Sequence, residues 1–98
     1  MEKVYLNSLF KRLTDSGLKA EREYPIKVFF ENEVVGDYFA DLLVEDKIIV
    51  ELKSVDLLNH IHEVQLVNYL KATKKEVGLL INFGNKLEIK RRVFSVKS

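Results

Sequence analysis

Residues 38–53, YFADLLVEDKIIVELK, decide how the rest of the chain is read. They carry the pattern of a β-hairpin, with arms at 39–44 and 48–53 joined by the charged turn Glu45-Asp46-Lys47. Val, Ile and Leu fill both arms, the composition of central strands covered on both faces. Asp41, Glu51 and Lys53 interrupt this background, and a charge in a central strand is costly unless it is paired or holds a metal. Side chains alternate along a strand, so Glu51 and Lys53 share one face. With a three-residue loop, Val44 pairs with Ile48 and Asp41 falls opposite Glu51. A two-residue loop would send Asp41 to the other face. The odd register thus gathers two carboxylates and an ammonium. Two readings of that cluster stand side by side: a metal-and-water site, and a cross-strand ion pair on a half-exposed sheet.

Upstream of the hairpin, Tyr5, Leu6, Leu9, Phe10 and Leu13 recur at helical spacing, so a first helix runs from Glu2 to about Ser16, with Gly17 as its stop. Glu2 lies one turn before Leu6, at the end of the buried stripe. It is either a favourable charge at a helix N-terminus or a site residue. Residues 18–24 lead into a strand whose irregular start or edge is marked by Pro25. Ile26, Val28 and Phe30 alternate with Lys27 and Phe29, and Glu31-Asn32-Glu33 reverse the chain into Val34 and Val35. Gly36-Asp37 reads as a bulge or bend before the central hairpin. The first three strands form an antiparallel meander.

Downstream, Asn59 is the expected N-cap of a second helix that ends at Thr73, with Ile61, Val64, Leu66, Val67 and Leu70 on its apolar side. Gln65 and Tyr69, four apart, stack on one face. His60 and His62 could form a metal pair, but spacing two at a helix start points them apart, which favours capping or surface roles. The uninterrupted run VGLLIN, 77–82, is a buried strand reached by a helical crossover, so it lies parallel to the strand of Glu51. Gly84-Asn85 turn the chain into a last strand, 87–94. The order α-β-β-β-α-β-β gives an α/β (α+β) fold with one mixed central sheet flanked by helices.

Ninety-eight residues suit one domain, 1–98, with a single modest core. Apolar residues make up 47% and charged residues 32%, with no run long enough to cross a membrane and no signal peptide, which points to an intracellular, cytoplasmic setting. The lack of cysteine excludes disulfides and thiolate metal sites. The net charge of +1 conceals an asymmetry, −4 over residues 1–51 and +5 over 52–98. A basic second half suits a polyanion such as nucleic acid, or is simply a solvated face.

The element order, with Asp on one strand and Glu-x-Lys on the next, resembles the PD-(D/E)xK nuclease superfamily and its restriction-endonuclease-like α-β-β-β-α-β core. Gln65 and Tyr69 match the Gln-x-x-x-Tyr motif of its lambda-exonuclease and recombination-nuclease branch. Within that branch the chain looks like the prokaryotic GxxExxY family. The matching residues are Glu2-x-x-Tyr5, Ala40-Asp41-Leu42-Leu43-Val44, Val50-Glu51-Leu52-Lys53, Gln65-Leu66-x-Asn68-Tyr69-Leu70-Lys71 and the GLLINFG stretch, 78–84. Only the glycine that opens the family's first motif has no counterpart here.

The resemblance implies metal-dependent phosphodiester hydrolysis with Mg²⁺ or Mn²⁺ held by Asp41, Glu51 and the Leu52 carbonyl. Lys53 would orient water or neutralise charge. Gln65 and Tyr69 would brace the site or contact the DNA backbone, unless they are only a polar seam between helix and sheet. Glu2 is a further catalytic candidate. Lys71, Lys74, Lys75, Lys90, Arg91 and Arg92 are candidate phosphate contacts. The implied partner is nucleic acid, DNA above RNA, with a homodimer as an option. Two rival functions share the fold: a catalytically silent nucleic-acid-binding module, and a small interaction or assembly protein.

Overall fold

The structure, a computed structural model, describes residues 1–95. Helix α1 spans Glu2–Asp15 and stops where Gly17 takes φ +87°. Gly17 N–H then reaches the Thr14 carbonyl and Leu18 N–H the Leu13 carbonyl, the paired bonds of a Schellman ending. Only a residue tolerant of positive φ fits that position, which is why the stop was legible.

Five strands follow in one sheet, ordered β1-β2-β3-β4-β5: β1 Ala20–Phe30, β2 Glu33–Val44, β3 Ile48–Lys53, β4 Val77–Phe83 and β5 Leu87–Val93. β3 and β4 are parallel and every other neighbouring pair is antiparallel. Val44 stands opposite Ile48, the register expected of the three-residue turn. Two boundaries differ from the sequence reading. β1 already runs from Ala20, and Pro25 sits inside it; an edge strand tolerates the missing donor. β2 is one continuous strand from Glu33, whereas the sequence reading began this arm at Phe39, and the irregularity expected at Gly36-Asp37 is present as a bulge. A register shift between Val28 and Phe29 leaves Val35 as the extra residue, so the chain bulges without breaking.

The two faces of the sheet carry separate apolar clusters. Leu6 of α1 covers Leu42, Val44, Val50 and Leu52 on one face. On the other, α2 (His60–Thr73) lays Leu66, Tyr69 and Leu70 on Ile26, Leu43, Ile49 and Leu80. Gly78 permits this close packing, since a Cβ there would stand 2.7 Å from Leu66 Cδ1. Ile61 and Val64, expected on the covered side of α2, are instead 73% and 43% exposed. Helix α2 begins with Asn59 accepting from Ile61 N–H, while His62 Nδ1 accepts from Asn59 N–H. His62 is thus a capping residue, the bland alternative to a metal pair.

The alternation of faces slips at one place. Arg22 lies over the Phe10 ring on the α1 side, yet Tyr24 and Ile26 pack in the α2-side cluster. Opposite them, Leu42 belongs to the α1 side and Ala40 to the α2 side. Between these pairs sit Glu23, with φ +53°, and Asp41, and the β1–β2 pairing skips both. A positive φ at a non-glycine residue is uncommon and redirects the side chains that follow. Strict alternation therefore does not set the direction of Asp41.

Candidate active site

The β2–β3 ladder is regular from Val44↔Ile48 to Leu42↔Val50 and then opens. In the gap, side chains replace backbone partners. Asp41 Oδ2 accepts the Leu52 N–H at 2.7 Å, and Glu51 Oε1 accepts the Asp41 N–H at 3.3 Å. Two carboxylates thus lie across one short seam, Asp41 half-buried and Glu51 buried. Each keeps its second oxygen clear of these bonds.

Electrostatics follow from that geometry. Burial, then the charge of Asp41 and a carboxyl–carboxyl hydrogen bond with it, push Glu51 up to about 8 against the partial relief given by Lys53. Near neutrality Glu51 therefore holds a proton that Asp41 can share. Lys53 follows Glu51 on the same face of β3 by alternation. It forms no ion pair among the described residues and stands half-buried beside the seam.

Gln65 and Tyr69 meet as the helical spacing predicts, with Gln65 Nε2 donating to Tyr69 Oη at 3.0 Å. Burial, then the nearby charges of Glu51, Tyr38 and Asp41, push the Tyr69 phenol up to about 12. Tyr69 is thus a neutral hydroxyl that borders the carboxylates from the α2 side. Glu2 approaches from the other helix: its Oε2 accepts the Ser54 N–H at 3.1 Å, directly after Lys53. Tyr5 stacks on Phe83 at 4.3 Å between centroids and fixes that end of α1 over β4.

The six basic candidates do not form one surface. Lys71 and Lys74 line a groove between α2 and the β1–β2 hairpin. Lys75 lies near Asp46, at the far end of the sheet from Lys53. Cross-strand partners share a face, so Lys90, opposite Leu80, lies on the α2 side and Arg91, opposite Leu79, on the α1 side. Arg92 is paired with Glu63.

One further residue was not singled out from the sequence. Asn82 closes the apolar run of β4 and is fully buried. Its Oδ1 accepts the Val55 N–H at 2.9 Å, and its Nδ2 donates to the Val55 carbonyl at 2.8 Å and to Glu88 Oε1 at 2.9 Å. The Asn82 bond holds Glu88 below the usual carboxylate range. Gly84 lets the Val55 carbonyl approach, since a Cβ there would overlap it. Asn82 stands beside Lys53 in the β3–β4 register, so this clamp fixes the chain as it leaves the seam. The available signal was a lone amide ending an apolar strand two residues before a glycine.

The donor set suits a hard cation that keeps part of its water. Among the described residues no three His, Cys, Asp or Glu side chains gather around one point. Two carboxylates do, and Mg²⁺ is commonly held by one or two carboxylates with waters and substrate phosphate. The elevated Glu51 marks a pair of acids that a divalent cation would relieve. The residues present therefore fit such an ion.

A five-stranded mixed sheet with a helix on each face is compatible with a restriction-endonuclease-like fold. A family model described as the PD-(D/E)XK nuclease superfamily matches residues 1–92, and the chain belongs to that superfamily. No curated protein matches it. Among solved structures it is similar to the crystal structure of SSO0001, with a TM-score of 0.72 and 18% identity over 97% of this chain. At that identity the likeness is one of fold. The chain spans about half of that protein, 52% of its length. No helix among the described residues is long and apolar enough to cross a membrane.

Proposed function

We propose that this chain, as one nuclease domain, is a Mg²⁺- or Mn²⁺-dependent nuclease that hydrolyses phosphodiester bonds of nucleic acid, DNA in the first instance. The observation that carries the reading is the opened β2–β3 seam, where Asp41 and Glu51 exchange backbone bonds and Lys53 follows on the same strand. A structural ion pair would leave the ladder closed and join Lys53 to a carboxylate. Motif matches from Glu2-x-x-Tyr5 to the 78–84 stretch support assignment to the GxxExxY family within the recombination-nuclease branch.

Asp41 and Glu51 hold the cation through their remaining oxygens. The Leu52 carbonyl is a third ligand, because it shares the β2-facing edge of β3 with the Leu52 N–H. The ion, when bound, polarises the phosphate and makes coordinated water more acidic. Lys53 orients the attacking water or offsets charge building on the phosphate. Tyr69, held by Gln65, braces the α2 side of the seam. Glu2 anchors the chain after Lys53 from the α1 side.

The test is a panel of single-stranded and duplex DNA and RNA incubated with Mg²⁺ or Mn²⁺ beside a Lys53→Ala control. Cleavage that needs the metal and disappears with Lys53 supports the reading. Intact substrate across the panel, with nucleic acid still bound, identifies a silent binding module. Failure of both cleavage and binding favours an interaction protein.

A further inference from the structure

Beside the seam runs a groove of about 760 Å³ between the β1–β2 hairpin and the outer side of α2. Its lining combines three features rarely found together. The floor is apolar and aromatic, with Tyr38 45% exposed on the hairpin and Ile61 73% exposed on α2. Two lysines of α2 and its C-terminal cap, Lys71 and Lys74, rim it, and no Asp or Glu lines it. Tyr69 also lines it, and lies near enough to Asp41 and Glu51 for their charges to raise its phenol.

The aromatic floor is held in place. The Tyr38 ring lies across Gly36, where an added Cβ would come within 2.6 Å of Tyr38 Cε2. It also meets the Tyr69 ring at 5.9 Å between centroids, inclined by 43°. Glycine at position 36 thus lets the tyrosine lie along the strand with one ring face toward the groove. Lys71 and Lys74 form no ion pair among the described residues.

Apolar ring faces flanked only by cations fit a ligand with flat bases and a polyanionic backbone. Stacked bases in a duplex hide their faces, so an exposed ring gains nothing from them. An unpaired strand offers both elements at once. We propose that the groove is the single-strand entry path of the enzyme: a base stacks on Tyr38, Lys71 and Lys74 hold the phosphates, and the strand reaches the carboxylates past Tyr69. This rests on the nuclease reading for its destination, though not for its binding chemistry.

The experiment measures anisotropy of a fluorescein-labelled oligothymidine of about 12 nucleotides and of a duplex of equal length, with Ca²⁺ replacing Mg²⁺. Wild type should bind the single strand more tightly. Tyr38→Ala should weaken that binding about ten-fold and leave duplex affinity unchanged. Gly36→Ala, which keeps the tyrosine but displaces its ring, and the double replacement of Lys71 and Lys74 by Ala should weaken it in the same direction with unchanged circular dichroism. Equal or tighter duplex binding overturns the proposal. So does single-strand affinity indifferent to all three variants, which would leave the groove to an apolar protein segment. Single-strand binding that depends on Tyr38 in a protein that cleaves nothing supports the groove and removes the nuclease reading. Metal-dependent cleavage of duplex without single-strand preference does the reverse.

Discussion

Leu52 donates its backbone N–H to Asp41 Oδ2 at 2.7 Å, so a side chain occupies the place a ladder carbonyl would take. The carboxylate is held by backbone and needs no neighbouring side chain for its position. Asp41→Asn should therefore keep the fold while altering the charge of the seam. Circular dichroism should be unchanged, cleavage should be lost, and the gain in melting temperature from millimolar Mn²⁺ should disappear.

The pH response of the metal-free protein follows from Glu51. An unfolded glutamate titrates near 4.5 and the folded one near 8, so the folded state binds the extra proton between those values. Stability from this group is therefore fully present below about 4.5, declines as pH rises, and levels off above about 8. Urea unfolding should show wild type losing stability from pH 6 to 8.5, and Glu51→Gln losing clearly less.

Metal binding opposes that loss, because it needs Glu51 ionised and so releases its proton. The melting temperature in Mg²⁺ or Mn²⁺ should exceed that of the metal-free protein by a margin that grows from pH 6 to 8.5. A flat difference across that range would count against Glu51 as a ligand.

Asn82 predicts a stability effect without a change in charge. Asn82→Leu removes one acceptor and two donations, and leaves both polar groups of Val55 without their partner. A loss of about 2–4 kcal/mol in urea is expected. Gly84→Ala should act on the same loop by forcing the Val55 carbonyl away, at a cost of about 1–3 kcal/mol.

The divided basic residues make distinct salt-dependence predictions. Replacing Lys71 and Lys74 together should flatten the log–log salt dependence of DNA binding by roughly 0.7–0.9 per lysine. Lys75→Ala, near Asp46 at the opposite end of the sheet, should leave it unchanged.

The sequence made the hairpin register legible because turn length and side-chain period are discrete. Val44 could face Ile48 only through an odd loop, which placed Glu51, whereas Asp41 sits at the slip beside Glu23 and is brought to the seam by its bond to Leu52 N–H. The site residues on α2 were legible for the same reason, since a spacing of four stacks Gln65 under Tyr69. Glu23 was not legible, because nothing in a glutamate announces a positive φ, and the face reversal beside Asp41 depends on it. Ile61 and Val64 looked like core because they are apolar. Their exposure depends on how far the hairpin stands from α2, a tertiary distance that no local pattern encodes. Asn82 was hidden inside an apolar run, and its partners lie on a loop 27 positions away.

The reversal at Glu23 and Asp41 also divides the β1–β2 arm into two parts with separate obligations. Toward the base, side-chain direction is tied to α1 and the carboxylates; toward the tip, it is tied to the groove. Lengthening both arms beyond Tyr24 and Ala40 by two residues would preserve every assignment and deepen the groove. Adding one residue to each would turn the lining outward while the seam stayed intact. The tip is thus a module in which reach can be tuned in even steps without touching the chemistry at its root.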